Sequence, residues 1–485
     1  MAKILMVKLR SDTEIKYIQA ASPPLGLMYL AAYARVQRNN RDSFTIIDER
    51  MQRHTLEQWK VYVKDLNPDY VALSALTHEV DRLEKLSSWF KSLMPHIPLI
   101  AGGPHITSAG ARLLDEMDID YLIKGEGEIS FVKLLNALDR GDCYPQETIS
   151  GLAFKNRDGS ITEHPQNIQV PDVNDLPFPA WDLVDLDAYS QYKRMTPSNS
   201  ISRYAALFTS RGCPYRCIYC HNIFAKKFRA MNVARIVDEI EFLITEYETH
   251  DFEIFDDIFN LDYERVMGIC AEIKQRGLET RFSFPNGIRG DILDKRILKE
   301  LKSVGTYHMA FAVESANPRV QRLIKKNINL EKIRQNIAIA ADEGIFTWGF
   351  FMLGFPTETR REIWNTLKFA FTSKLHGAFF FIVIPHEGTE LAAMCSERFD
   401  VGSSFDADYH FSQSVISTLS GSELSLLQTI AFLGFFFDPR RIIRILRDYP
   451  QGIGDLFTRF KGLSLYIFYE KPRLAIIKFL KDILH

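Results

Sequence analysis

At 485 residues the chain is too long for one ordinary hydrophobic core, so two or three domains are expected. With 46% hydrophobic and 25% charged residues it reads as globular, and a formal net charge of −2 gives no basic field for nucleic acid. No apolar run approaches the ~20 residues of a spanning helix, the start MAKILMVKLRSD lacks the apolar stretch of a signal peptide, and six unevenly spaced cysteines are no disulfide framework, so a reducing, cytoplasmic setting is expected.

The first part alternates strands and helices. KILMVKL is read as a strand, PPLGLMYLAAYARVQ as a helix opened by prolines, and FTIIDE and YVALSAL as strands. Asp81 to Met94 is an amphipathic helix, PLIAGGPH and YLIKGEGE are strands ending in glycine turns, and ISFVKLLNAL is a helix. Apolar strands separated by helices predict a parallel, doubly wound sheet. Ligands of such sheets lie beyond the carboxyl ends of the strands. The turns Gly102-Gly103-Pro104-His105 and Gly125-Glu126-Gly127-Glu128 fall at those ends, either as tight β–α turns or as places where backbone approaches something large.

GLAFKNRDGSITEH is read as a hairpin turning at Asp158-Gly159. DLPFPAWDLVDL, with two prolines and little periodicity, is a linker expected to pack against both neighbours. From about residue 200 the rhythm resumes: YAALFTS, FEIFDD, RFSFPNGI, HMAFAVES, TWGFFMLGFP and GAFFFIVIP are six strands with helices between them. A closed or partly closed parallel barrel follows, with chemistry at the carboxyl ends of its strands. Beyond about 400 the periodicity is helical only, in SELSLLQTIAFLGFFF, PRRIIRILRDY and a last helix from about Pro472 to Leu484.

Half of the cysteines fall in nine residues, GCPYRCIYC, as Cys213, Cys217 and Cys220. Three thiolates are soft ligands that suit zinc or an iron–sulfur cluster. Structural zinc takes four ligands, and the next candidate, His221, is adjacent to Cys220 and closes a tetrahedron only with difficulty. A four-iron cluster held by three cysteines keeps one iron open. Cys143, Cys270 and Cys395 are read as packing residues, with Cys395 placed after the last barrel strand, near the rim.

RGCPYRCIYCHNIF resembles the CxxxCxxC signature of the radical S-adenosylmethionine superfamily. EIFDDIFNLD, SFPNGIRGDIL, MAFAVESANPRVQRLIKK, GFFMLGFPTET and FIVIPHEGTELA resemble, in order and spacing, the later strands of its cobalamin-dependent branch. SPPLGLMYLAAY, VALSALTHEV, IAGGPHIT and KGEGE resemble the cobalamin-binding domain fused ahead of that barrel. The D-x-H-x-x-G motif of many corrinoid proteins is missing, which leaves His78 and His105 as the nearest histidines for cobalt, either of them equally an ordinary turn histidine. The resemblance implies an α/β protein with four parts. Residues 1–145 form a doubly wound, Rossmann-like cobalamin-binding domain and 146–198 a hairpin and linker. Residues 199–395 form a partial (β/α)6 barrel and 396–485 a helical C-terminal region.

The resemblance further implies a [4Fe–4S] cluster on Cys213, Cys217 and Cys220, S-adenosylmethionine on its open iron, and cobalamin in the first domain. The ligand's ammonium and sulfonium call for carboxylates, and Asp256, Asp257 and Glu314 fall at strand ends on one rim. Asp257 is alternatively a helix cap. Ser315, itself an expected contact of S-adenosylmethionine, or Asn317 is the better cap beside Glu314, leaving that carboxylate for ligand. Arg289 pairs with the ligand's carboxylate or with Asp291. Tyr219 is expected over the adenine or the cluster edge, and Gly354 and Pro356 shape the turn beside the adenine. Ser74, Thr77, Gly102, Gly103, His105, Gly125, Glu126 and Gly127 are the expected cobalamin contacts.

The activity so implied is methylation of an unactivated carbon after hydrogen abstraction by a 5′-deoxyadenosyl radical, or cyclisation or rearrangement on the same scaffold. A non-catalytic iron–sulfur or corrinoid sensor is the remote third reading. The expected partners are a small-molecule or lipid-like substrate and an external electron donor of flavodoxin or ferredoxin type. The C-terminal stretches FFFDPRRIIRIL and KPRLAIIKFLKDIL, cationic and apolar together, either cap the barrel or touch a membrane surface.

Overall fold

The computed structural model describes residues 1–12, 20–145, 147–166, 170–196, 203–221, 223–395 and 416–450. Seven strands form the first sheet: β1 (Lys3–Lys8), β2 (Ser43–Asp48), β3 (Tyr70–Ser74), β4 (Leu99–Gly102), β5 (Tyr121–Ile123), β6 (Leu152–Lys155) and β7 (Ile161–Glu163). Their order is β2-β1-β3-β4-β5-β6-β7. The first five are parallel, and the hairpin β6–β7 adds antiparallel to β5. Strand order reverses between β1 and β3, the switch point at which an open sheet leaves a crevice for ligand.

Alternation along β1 builds two apolar layers, because successive side chains leave opposite faces. Ile4 and Met6 pack with α1 (Leu25–Gln37), while Leu5 and Val7 pack with α2 (Leu56–Leu66), α3 (Val80–Leu93) and α4 (Pro104–Ala109). The helix α5 (Glu128–Asp139) shares the first layer with α1. The strands and helices expected here are all found. Helix α2 went unread because its apolar signal is sparse: only Trp59 and Val63 are buried. A capping box between Thr55 and Gln58 starts it.

The second sheet comprises β8 (Tyr204–Leu207), β9 (Asp251–Ile254), β10 (Arg281–Ile288), β11 (Thr306–Glu314), β12 (Phe346–Leu353) and β13 (Gly377–Ile382). They pair in chain order and all in parallel, and β8 and β13 remain as the two edges. The barrel is therefore partial. Helices α6 (Val233–Tyr247), α7 (Tyr263–Gln275), α8 (Lys295–Ser303), α9 (Leu330–Asp342) and α10 (Arg360–Thr372) connect the strands. Among the described residues a short helix at Glu390–Cys395 follows, and then α11 (Gly421–Phe436) and α12 (Pro439–Asp448). Gln428 of α11 donates to the Phe380 carbonyl at 2.7 Å, and Phe380 meets Phe432 and Phe435, so α11 covers the free edge of β13. The helix expected from Pro472 to Leu484 lies outside the described residues.

The linker packs against both neighbours as expected. Ala180 N–H donates to the Met28 carbonyl in the first domain, while Phe178 stacks obliquely on Phe242 of the barrel. Ion pairs also join the domains. Arg112, just past α4, pairs with Glu387 beyond β13 at 2.8 Å. Glu126 and Glu128, in the turn before and at the start of α5, pair with Arg229 and Arg211. These contacts set the carboxyl-end rim of the first sheet against the rim of the barrel.

Candidate active site between two strand rims

The cysteine loop leaves β8 and is closed at its base by a two-residue ribbon, Ser210–Arg211 against Arg229–Ala230. Gly212 opens the loop at φ +81°, and a Cβ there would lie 2.3 Å from the Lys227 carbonyl oxygen and 2.9 Å from that of Phe224. Only glycine fits such a turn without moving backbone. Ile218, fully buried, clamps the loop's middle: its N–H donates to the Ile324 carbonyl and its carbonyl accepts from Leu391 N–H. Cys213, Cys217 and Cys220 remain half-buried.

The three thiols are near enough to feel one another's charge. Burial raises the Cys213 thiol above the ordinary range, with a backbone N–H of Tyr215 pulling it down. Burial pushes the Cys220 thiol up to about 12, against the pull of Lys226. Three soft donors on one fixed loop fit a cluster in which each thiolate takes its own iron. Among the described residues no three Cys, His, Asp or Glu side chains converge on one ion. His221 is exposed beside Cys220.

The predicted carboxylates separate in role. Asp256 is buried and fully occupied: it accepts from Thr209 N–H at 2.6 Å and from the hydroxyls of Thr209 and Ser210, with Arg265 3.5 Å away. It ties the end of β9 to the end of β8 and presents no open oxygen toward a ligand. Asp257, its neighbour, bears on the charges of Cys213 and Cys220 instead. It caps no helix; Asp262 is the N-cap of α7.

Glu314, read as free for ligand, is paired. Lys326 Nζ lies 2.8 Å from Glu314 Oε1, and the Tyr219 hydroxyl donates to the same oxygen at 3.3 Å. A register shift at the end of β11 and a φ of +62° turn Glu314 toward the cysteine loop. Lys326 was missed, although it stands twelve residues after Glu314 in the same recognised segment. The expected cap is Asn317, which accepts from Arg319 N–H and Val320 N–H. Ser315 is fully buried against Thr366 and faces no cleft. Burial raises the Tyr219 hydroxyl well above its usual range, and its ring leans on Phe355.

Arg289 pairs with Asp291 at 3.1 Å and lays its guanidinium 3.7 Å over the Tyr215 ring of the cysteine loop. Gly354 takes φ +91°, and its N–H and that of Phe355 both donate to Glu358, a buried carboxylate that sequence reasoning passed over. Pro356 is half-buried in this turn. Burial raises Glu358 to about 7. Cys395 packs with Ile218 and Phe355, Cys270 lies in the core on α7, and Cys143 is exposed.

On the first domain's rim, Ser74 ends β3, Thr77 begins the next turn, and Gly102 ends β4. Gly103, at φ +101°, would set a Cβ 3.0 Å from the Ala75 carbonyl and 3.1 Å from Ser74 Oγ, so only glycine lets this turn close on the end of β3. The His105 Nε2 is buried without a hydrogen-bond partner, an orphaned polar atom that fits a bound group at this rim. Burial lowers the pKa of His105, as it does that of His78. Gly125 turns at φ +74° with its N–H on Thr107 Oγ1. Glu126 departs from the expectation: its carboxylate is taken by Arg229 and lies near Arg211, so it joins the domains rather than facing a cleft. Gly127 packs on Leu30.

Comparison with known proteins follows these two rims. The model of the radical SAM superfamily matches residues 207–370, and that of the B12 binding domain matches 16–135. The first match implies a [4Fe–4S] cluster and S-adenosylmethionine, the second cobalamin. An uncharacterized methyltransferase of Pyrococcus horikoshii is 31% identical over 80% of this chain and 82% of its own. The anaerobic magnesium-protoporphyrin IX monomethyl ester cyclase of Rubrivivax gelatinosus is 25% identical over 72% of this chain and 62% of its own. The radical S-adenosylmethionine methyltransferase TsrM of Kitasatospora setae, solved with cobalamin and a [4Fe–4S] cluster, shares the fold at TM-score 0.65 and 16% identity, over 82% of this chain and 75% of its own.

Proposed function

This chain belongs to the radical SAM superfamily and carries a B12 binding domain ahead of its barrel; from that premise we propose that it methylates an unactivated carbon of a large, apolar, lipid-like small molecule. The observation that carries the reading is the meeting of the two rims, where Arg112 pairs with Glu387 and Glu126 pairs with Arg229 of the ribbon that closes the cysteine loop. When bound, the cluster supplies the electron that splits S-adenosylmethionine to methionine and a 5′-deoxyadenosyl radical, and cobalamin supplies the methyl group. The balance uses two S-adenosylmethionine molecules and two electrons per turnover, drawn from an external donor of flavodoxin or ferredoxin type.

The chain's own residues would divide the work. Cys213, Cys217 and Cys220 hold the cluster. Asp257 and Glu314 offer negative charge to the cationic ligand, with Tyr219 and Lys326 fixing the Glu314 carboxylate. Arg289 steadies Tyr215, and Gly354 and Pro356 shape the adenine side. Asp256 holds the rim together. Ser74, Thr77, Gly102, Gly103, His105 and Gly125 form the floor for cobalamin.

An aromatic wall supports an apolar substrate. Phe351 and Phe380 point to the helices and are fully buried. Phe350, Phe379 and Phe381 point the other way, half-buried, with ring centroids 5.6 to 6.2 Å apart. The similarity to a cyclase favours a second reading, cyclisation without methyl transfer. One anaerobic experiment separates them. The reconstituted protein, with cobalamin, reductant and methyl-labelled S-adenosylmethionine, should form both 5′-deoxyadenosine and S-adenosylhomocysteine, and Cys220→Ala neither. Formation of 5′-deoxyadenosine alone supports cyclisation.

A further inference from the structure

The helix α12 is built inside out. Its Arg441 is almost fully buried, and the guanidinium donates to the carbonyls of Ala370, Phe371 and Leu375 while lying 3.5 Å over the Phe435 ring. Those bonds pin the helix to the end of α10. Its opposite side carries Ile443, 67% exposed, with Ile442 and Leu446 also exposed. A helix in water normally turns its apolar stripe inward.

The exposed apolar groups do not stop at α12. Phe437 is 61% exposed, and Leu426 of α11 and Trp364 of α10 are exposed too. Trp364 stands in an open groove of about 740 Å³ with Arg361, Lys368 and Phe371, and Phe371 closes against Gly434 of α11. Six of the thirteen exposed large apolar side chains among the described residues thus lie on three adjoining helices. Apolar groups collected in one region mark an interaction surface, whereas singly scattered ones do not.

Charge identifies the occupant. Arg440 flanks the exposed isoleucines, with Arg447 beside them paired to Asp448, and Arg361 and Lys368 flank Trp364. Residues 451–485 contain six Lys or Arg against three Asp or Glu, and a second copy would present the same basic face, so the charge of this surface is matched by neither. Basic side chains rimming exposed Ile, Leu, Phe and Trp match the interface of an anionic bilayer. We propose that the face formed by α10, α11 and α12 docks on an anionic phospholipid membrane surface. No described helix is long and apolar enough to cross a membrane, so the contact is peripheral.

The test is sedimentation of the full chain with vesicles, independent of cofactors and turnover. Vesicles of phosphatidylcholine with phosphatidylglycerol should carry the protein down, and phosphatidylcholine alone should not. Raising the salt should release it, because the attraction is screened. Phe437→Glu with Ile443→Glu should weaken binding at least tenfold while circular dichroism and the melting temperature stay unchanged. Protein that stays in the supernatant with anionic vesicles overturns the proposal. So does equal sedimentation of wild type and variant. If the variant instead melts lower, the chain's own residues cover the face; if light scattering shows it dissolving a dimer, a second copy does. Either result, with no vesicle binding, also overturns it.

Discussion

Glu126 of the first domain and Arg229 of the barrel meet in a buried two-pronged ion pair, with Arg229 Nη1 3.0 Å from Glu126 Oε2. Arg229 lies in the ribbon that closes the cysteine loop, so the pair ties the cluster's support directly to the B12 binding domain. Removing one partner of such a pair leaves a buried charge without compensation, which costs about 3 kcal/mol or more. Glu126→Gln should lower stability by about that amount in chemical denaturation. Glu126→Gln with Arg229→Met should recover part of the loss. Single losses that simply add in the double variant would show that the two side chains do not act as a pair.

Glu358 sets a pH dependence. Its folded pKa, about 7, stands above the ordinary 4.5 because the carboxyl is buried. Between those values the folded state binds the extra proton, so stability falls as pH rises from about 4.5 through 7. Glu239 and Glu253 are shifted the same way by burial. Glu358→Gln keeps an oxygen for the Gly354 and Phe355 N–H groups without the charge. Urea midpoints measured from pH 5 to 8 should fall less steeply in the variant than in the wild type. Parallel curves would mean that Glu358 keeps its charge state across this range.

Much of this was legible in the sequence because it rests on local pattern. Alternation in KILMVKL, helical spacing in VARIVDEIEFLITEY and the crowding of Cys213, Cys217 and Cys220 each act within a few residues. What stayed hidden depends on contacts between distant segments. Nothing in KGEGE says that Glu126 reaches across 103 residues to Arg229. Nothing near Asp256 says that the hydroxyls of Thr209 and Ser210 will consume it. Glu314 was placed on the correct rim, but its partner Lys326 sits beyond a short helix whose turn count decides whether the two meet.

Gly212 offers a test of the cysteine loop. Any Cβ there runs into three carbonyl oxygens, those of Lys227, Phe224 and Ala225, and backbone must move to relieve it. Gly212→Ala should leave the far-ultraviolet circular dichroism nearly unchanged and cut iron and sulfide bound after reconstitution several-fold. Gly277→Ala is the control, because its φ of +65° carries the same backbone strain with nothing within 4 Å of the added Cβ. If both variants load iron equally well, the turn at Gly212 does not govern cluster assembly.

Lys326 and the Tyr219 hydroxyl both engage Oε1 of Glu314, the carboxylate we propose for the cationic ligand. On that proposal the ammonium of S-adenosylmethionine either displaces Lys326 or shares the carboxylate with it. Lys326→Met leaves Glu314 buried with only the Tyr219 hydroxyl, a loss of about 3 kcal/mol. Tyr219→Phe removes two long hydrogen bonds, one to Glu314 and one from Lys326, and should cost about 1 kcal/mol. A cation arriving at Glu314 restores in Lys326→Met what the lysine supplied. The rise in melting temperature on adding S-adenosylmethionine to cluster-loaded, oxygen-free protein should therefore be larger in Lys326→Met than in the wild type. In Tyr219→Phe, where Lys326 still holds the carboxylate, the rise should match the wild type. Equal rises in all three proteins would place the ligand's ammonium away from Glu314 and leave Asp257 as the carboxylate it meets.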